Sequence, residues 1–596
     1  MLRLLLLLIV SSTVLCSQYD DYLKVREGIT EYIQQKTKPA YLLEATKGFN
    51  LTHLFRKNTK VTAPNILVCG ACELAIDLLI NERKNGASKE QLIDTVSGLC
   101  TILNVEPDSV CRGTIELNAD PLTYIFDNMQ NLTSKRVCSL VLQKYECSKG
   151  DNFEWEIEIP LGNSIERPKP SESSGQFNII QLSDFHYDPL YTVGKSSKCA
   201  EPLCCQSDSI DPENENDACG YWSDYNNADI PWHLIEETVE RVNEHKFDYV
   251  YYTGDIISHR VWSTSVENNT RDIKKVFDHF REVFDVPVYP ILGNHEPNPM
   301  NQWAENISDP NLSTSWLYEL VANEWSTWLP LETQQTILKG GFYTVSPRPG
   351  FRIVALNSNV CYTVNWWLIW DDYDPYGQLN WLVNVLLEAE QNGESVHILS
   401  HIPSGSQSCV SVWSREFNKI INRFANTITG IFNGHTHTDE FYVYYNNSNP
   451  DQAINVAYNG ASVVTYTDNN PSYKVIHVNN ETFAINDICE WTFNLTEANL
   501  QPEERPNWYE LYSFKTAYNL NSLEPSDLND LLHRMATNET IIKQFNTYTY
   551  RNSDTSVAQD CDENCQKSVL CTVSVTEIGN TNKCKELQDL WDAAHK

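Results

Sequence analysis

Apolar positions between Ile66 and Cys147 recur at helical spacing. Leu67, Ala71, Leu74, Ala75, Leu78 and Leu79 mark one face, Leu92, Ile93, Val96 and Leu99 a second, and Leu122, Ile125, Phe126 and Met129 a third after Pro121. The pattern predicts a small all-helical unit. Residues 160–175 carry Pro, Ser and mixed charges without periodicity and read as a linker. From Phe177 short apolar runs take over: Phe177–Leu182, Tyr249–Thr253, Val286–Leu292, Phe351–Leu356, Val396–Leu399 and Ile428–Phe432 read as buried strands. Between them Ile273, Val276, Phe277, Phe280, Val283 and Phe284 trace one helical face, and Leu379, Leu382, Val383, Leu386 and Leu387 another. The alternation predicts an α/β fold, a β-sandwich flanked by helices. After about Tyr473 the pattern becomes helix-rich, ending in a cysteine cluster.

The expected division is 1–16, a signal peptide; 17–64, an N-terminal segment; 65–150, the helical module; 151–176, a Pro-rich linker; 177–472, the α/β domain; and 473–596, a C-terminal helical, disulfide-bearing domain. The signal peptide is read from Arg3, the apolar run Leu4–Val10, and Val14 and Cys16 before a plausible cleavage point. That run is too short to span a bilayer, and no later segment is long and apolar enough, so no transmembrane segment is expected. A net charge of −35 repels polyanions, which argues against nucleic acid as a partner and suits an acidic compartment. Sequons at Asn50, Asn131, Asn268, Asn306, Asn311, Asn446, Asn480, Asn494 and Asn538 accord with the secretory pathway, with a lysosomal or secreted product. A monomer is expected.

In that oxidising setting most of the 18 cysteines should form disulfides, and loss of Cys16 leaves an odd number. The helical module holds six, whose fifteen possible pairings the sequence leaves open. Secretion disfavours reading Cys69-Gly70-Ala71-Cys72 as a zinc or redox motif. The spacing resembles saposin domains, which implies Cys69–Cys147, Cys72–Cys138 and Cys100–Cys111.

Five predicted strand ends carry related polar residues. They are Asp184-Phe185-His186, Gly254-Asp255, Gly293-Asn294-His295-Glu296, His401 and Gly434-His435-Thr436-His437. Ligands of α/β sheets gather beyond the carboxyl ends of strands, so these groups should converge on one crevice. A single buried histidine is usually structural, but five such groups at the same place on successive strands resist a packing explanation. Imidazoles with a few carboxylates suit two zinc ions better than calcium, with Asp255 as the natural bridge. Glycines before Asp255, Asn294 and His435 let the backbone turn sharply. Two such ions can activate water and clamp a phosphoryl group, so phosphoester hydrolysis is expected.

The order of these motifs resembles the calcineurin-like metallophosphoesterases. The resemblance implies one metal site of Asp184, His186, Asp255 and His437, and another of Asp255, Asn294, His401 and His435. His295 resembles the family's general acid. Ser258 stands where ferric enzymes of this group place a tyrosine, which favours two Zn2+. With the saposin-like module ahead of it and the cysteine-bearing tail behind, the whole chain resembles the acid sphingomyelinase family. Gly254-Asp255-Ile256-Ile257-Ser258-His259, Gly340-Gly341-Phe342-Tyr343, Gly377-Gln378-Leu379-Asn380-Trp381-Leu382 and Gly434 to Phe441 also look alike. His259 matches a second histidine beside the leaving group. The pairings implied are Cys199–Cys204, Cys205–Cys219, Cys361–Cys409, Cys561–Cys565 and Cys571–Cys584, with Cys489 left alone.

The resemblance implies zinc-dependent hydrolysis of sphingomyelin to ceramide and phosphocholine, with the saposin-like module contacting the membrane surface that holds the sphingolipid. Val364 stands where a headgroup glutamate is expected, so Trp366, Trp367 or Tyr466 would serve a cationic headgroup instead. Ceramide phosphoethanolamine and soluble nucleotide-type phosphoesters are the alternative substrates. A non-enzymatic lipid-binding protein is the remaining alternative, and the complete ligand set argues against it.

Overall fold

The computed structural model describes residues 23–35, 39, 41, 65–145, 147, 153–162, 174–460 and 462–596. The expected signal peptide, the Asn50 sequon and much of the expected linker lie outside them. The chain forms two units, the first made of residues up to Glu154 with two short segments, Val261–Thr264 and Thr363–Asp372.

In the first unit the helical periodicity becomes α1 (Asn65–Lys84), α2 (Lys89–Ile102), α3 (Asp108–Asn128) and α4 (Ser134–Val141). A capping box starts α2, with the Ser88 hydroxyl accepting from the Gln91 amide while the Gln91 side chain accepts from the Ser88 amide. Pro121 sits inside α3 rather than ahead of a new helix. Cys69–Cys147 and Cys72–Cys138 tie α1 to the end of the module, and Cys100–Cys111 ties α2 to α3. A helix over 23–35 places Val25, Ile29 and Ile33, four residues apart, against Leu99 and Ile102, so part of the N-terminal segment belongs to this core. The Arg136 guanidinium donates to the carbonyls of Leu368 and Ile369 and to Asp372, and the Trp366 indole N–H donates to Asn118.

The second unit holds two six-stranded sheets. The first contains β1 (Gln176–Leu182), β2 (Tyr249–Tyr252), β3 (Val288–Pro290), β10 (Ser472–Asn479), β11 (Ile485–Thr492) and β12 (Tyr509–Ser513), in the order β12-β11-β10-β1-β2-β3. The second contains β4 (Tyr343–Arg348), β5 (Phe351–Leu356), β6 (Ser395–Ser400), β7 (Ile428–Asn433), β8 (Glu440–Asn446) and β9 (Asn449–Asn459), in the order β4-β5-β6-β7-β9-β8. Strands β5, β6 and β7 are buried along their whole length, which is why they read as unbroken apolar runs. The strands β1, β2 and β3 run parallel, as do β5, β6 and β7, so their carboxyl ends meet at one end of the sandwich.

The expected helix-rich tail is corrected at its start. Residues after 472 first form β10, β11 and β12, and β10 pairs antiparallel with β1 along Gln176–Gln181. The expected boundary at 472/473 therefore falls inside a strand. Lys474 hid that strand from an apolar-run reading; it is buried because its ammonium meets Asp439 Oδ1 at 2.7 Å and the Asn459 carbonyl at 2.6 Å. Helices follow, including α5 (Pro525–Thr537) and α6 (Glu539–Thr549). The unit contains Cys199–Cys204, Cys205–Cys219, Cys361–Cys409, Cys561–Cys565 and Cys571–Cys584, and Cys489 is free and buried.

Candidate metal centre

Each strand ending at this rim turns abruptly. Asp184, His186, Asp255, His435 and His437 all adopt left-handed backbone conformations, with φ of 49°, 44°, 63°, 75° and 61°. For residues other than glycine such conformations cost about 1–3 kcal/mol each and concentrate at functional sites. The neighbouring glycines have steric reasons. A Cβ at Gly293 would lie 2.1 Å from Asp255 Oδ1, and one at Gly434 would lie 2.4 Å from the Ser183 hydroxyl.

The turns pin each carboxylate by one oxygen. Asp184 Oδ1 accepts from the His435 amide and Asp255 Oδ1 from the His295 amide, each at 2.9 Å. The second oxygens point inward. Asp184 Oδ2 is buried without a hydrogen-bond donor, and Asp255 Oδ2 lies 3.5 Å from His186 Nε2 and 3.0 Å from His401 Nε2.

The imidazoles are pinned in the same manner. Carbonyl oxygens only accept, so a ring nitrogen facing one carries the proton. Nδ1 of His186 faces the Ile257 carbonyl at 2.8 Å, Nδ1 of His401 faces Thr253 at 2.7 Å and Nδ1 of His437 faces Tyr466 at 3.2 Å. That leaves the Nε2 atoms of His186 and His437 as lone pairs aimed inward, while Nε2 of His401 faces Asp255 Oδ2. Asn294 donates its amide to Asn301, which turns its Oδ1 toward His401 Nε2 at 3.1 Å and His435 Nδ1 at 2.9 Å. The result is two neighbouring clusters of groups able to ligate a metal: Asp184, His186 and His437, then Asp255, His401 and His435 with Asn294. Such a set fits cations of the kind imidazole and carboxylate hold.

Charge coupling reflects the same crowding. Burial raises Asp184 to about 6 despite the attraction of His401. Burial would lift Asp255 as well, but His401 and His295 outweigh it and hold that carboxyl below its usual range.

His295 and His259 lie beside these clusters. The His295 ring contacts His186 edge-on at 4.6 Å, and its Nδ1 faces the Ser258 carbonyl at 3.3 Å. His259 stacks on Tyr466 with ring centroids 4.1 Å apart, while Nδ1 and its backbone amide both reach Asp229, at 2.7 and 2.6 Å. Asp229 was not legible in the sequence, since it follows no strand and precedes the helix Trp232–Val242. Ser408, 3.1 Å from His435 Nε2, carried no signal either. Trp367 is buried against Tyr124 in the first unit, so of the three aromatic residues considered for a headgroup Tyr466 is the one stacked on a site histidine.

Comparison with known proteins places this geometry. Residues 177–439 match the family of calcineurin-like phosphoesterases, and residues 452–591 match the acid sphingomyelin phosphodiesterase C-terminal region. The sphingomyelin phosphodiesterase of Bos taurus is 33% identical over 544 residues, covering 88% of this chain and 86% of its own length. The chain belongs to the acid sphingomyelinase family. The Homo sapiens sphingomyelin phosphodiesterase is likewise 33% identical, over 88% of this chain and 85% of its own. Sphingomyelin phosphodiesterase 1 of Caenorhabditis elegans is 28% identical over 87% of this chain and 93% of its own. As an acid sphingomyelinase family member the protein is an enzyme, a phosphodiesterase, and the calcineurin-like segment contains all the clustered residues at the rim of its sandwich.

Proposed function

We propose that this enzyme hydrolyses sphingomyelin to ceramide and phosphocholine at a centre that takes two zinc ions. The observation that carries the reading is the cluster of groups able to ligate a metal, in which lone pairs of His186 and His437 face each other at 3.0 Å. Asp184, His186, Asp255 and His437 would hold one ion, and Asp255, Asn294, His401 and His435 the other. Four imidazoles with few carboxylates favour zinc over harder cations. When bound, the pair supplies an activated water nucleophile and charge to offset the phosphoryl oxygens.

The remaining work falls to the protein's own groups. His295 and His259 each commit Nδ1 to an acceptor, which leaves Nε2 to deliver a proton to the departing ceramide oxygen. Tyr466 offers an aromatic face to a cationic headgroup.

Access to a bilayer lipid is assigned to the saposin-like helical module. Half-buried Leu74, Ile115, Leu117, Leu122 and Phe126 supply apolar surface for a peripheral contact. Among the described residues no helix is long and apolar enough to cross a membrane. The protein is placed in the secretory pathway, as a monomer acting in lysosomes or outside the cell; eight disulfides among the described residues support that routing.

The test is hydrolysis of liposomal sphingomyelin and ceramide phosphoethanolamine side by side, at pH 5 and 7, with chelator and with zinc restored. Zinc-dependent ceramide release supports the reading. Release from the ethanolamine lipid alone would transfer it to that substrate, which Val364 makes the second choice. Cleavage of soluble phosphodiesters only would overturn the lipid assignment.

A further inference from the structure

The two loops that carry His437 and orient its ring are joined by one side chain from the far end of the sequence. Arg551 follows α6, is fully buried and has a φ of 53°. Its Nη1 donates to the His437 carbonyl at 2.6 Å and to the Thr549 carbonyl at 3.1 Å, and its Nε donates to the Asn470 carbonyl at 3.0 Å. The bond is returned, because Asn470 Nδ2 donates to the Arg551 carbonyl at 3.0 Å. Asn470 closes the loop whose Tyr466 carbonyl faces His437 Nδ1. The next turn is tied down separately, with the Asp439 amide donating to the Thr549 carbonyl at 2.9 Å.

We propose that Arg551 is a positioning residue for the His437 ligand, through which the C-terminal helical region tunes one of the two metal subsites. The inference rests on the dimetal reading above. A buried guanidinium is costly unless its donors are met, and here Nε and Nη1 are met by the carbonyls of Asn470, His437 and Thr549, while Nη2 is buried without a hydrogen-bond partner among the described residues. Its shortest bond goes to the ligand residue itself. The planar fork spans three carbonyls in a way that a lysine ammonium cannot. The His437 carbonyl thus rests on Arg551 directly, and the loop of Tyr466 is tied to it at Asn470, whereas His401, His435 and Asn294 are held by other groups. Partners outside the first shell of a metal site typically govern about 10–100-fold in affinity.

The experiment measures stepwise zinc affinity of the full, metal-stripped chain by competition with a chromogenic chelator, in the parent and in Arg551→Lys and Arg551→Met. One affinity should fall about 10–100-fold in both variants while the other stays within about two-fold. On a small soluble phosphodiester, kcat should fall with KM unchanged. Two parental affinities in the variants, or an equal loss of both, would overturn the proposal. Should the variants not fold, hydrogen exchange in the parent decides: zinc should slow the amides of residues 549–553, and no change there overturns the coupling. A parent that binds no zinc refutes the dimetal reading instead.

Discussion

His186 and His437 bring their Nε2 atoms within 3.0 Å of each other while Nδ1 of each ring is committed to a carbonyl. Two lone pairs at that distance repel, so the pair is held against its own electrostatics by the turns that carry it. A cation held by the two rings would offset that repulsion.

Zinc should therefore act as a folding ligand. Metal-stripped protein should melt lower than the loaded form, by about 2.7 kcal/mol of stability when free metal is about 100 times its dissociation constant. His437→Ala should abolish most of that gain while leaving the metal-stripped melting point near that of the parent. Calorimetry with and without zinc checks this. An equal zinc response in parent and variant would contradict it.

Gly293→Ala isolates sterics from backbone strain, since only the added methyl conflicts, 2.1 Å from Asp255 Oδ1. Displacing the shared carboxylate by about 1 Å is expected to cost on the order of 10²-fold in turnover, with the fold retained by circular dichroism.

Asp229→Asn should uncouple His259 from its orienting carboxylate. If His259 delivers a proton to the leaving oxygen, turnover of a lipid with a poor leaving group should fall by about 10²-fold. A nitrophenyl phosphodiester, whose leaving group needs no proton, should lose far less. Equal losses on both substrates would assign Asp229 a purely structural role.

Two buried groups away from the ligands set opposite limbs of the stability profile. Burial, then the charge of Asp439, raises Glu490 to about 8. A folded pKa above the unfolded value contributes stability that is full below about 4.5 and is lost as the pH rises toward 8. Burial lowers His397 to about 4 although its ring bonds the Phe483 carbonyl, so its contribution is full above about 6.5 and is lost as the pH falls toward 4. Glu490→Gln should flatten the loss between pH 5 and 8, and His397→Gln the loss between pH 6.5 and 4. Denaturant midpoints across pH measure both.

Much of the candidate centre was legible in advance because strand ends and the clustered residues are written next to each other. Asp184, Asp255, Asn294, His401 and His435 each follow an apolar run within a few residues, so a period of buried positions and one polar tripeptide suffice to find them. The six strands expected from apolar runs all exist, with β3 shorter than its run. The hairpin β8–β9 and the strands β10, β11 and β12 were not legible. Lys474, His477 and Asn455 interrupt their apolar runs, and only partners distant in sequence make those polar groups tolerable inside the protein.

The sequence by itself thus determined the chemistry: which residue types stand at strand ends, in what order, in a disulfide-rich chain of the acid sphingomyelinase family. Tertiary structure alone decided which atom of each candidate ligand faces inward, because that depends on carbonyls from other loops. It also decided that Asp229 orients His259 and that Arg551 clamps the His437 loop. Those pairs lie 30 and 114 residues apart, and no local pattern relates them. Hydrogen bonds across such separations exist only once both sheets have closed, which is why the second layer of the site belongs to the fold and the first to the sequence.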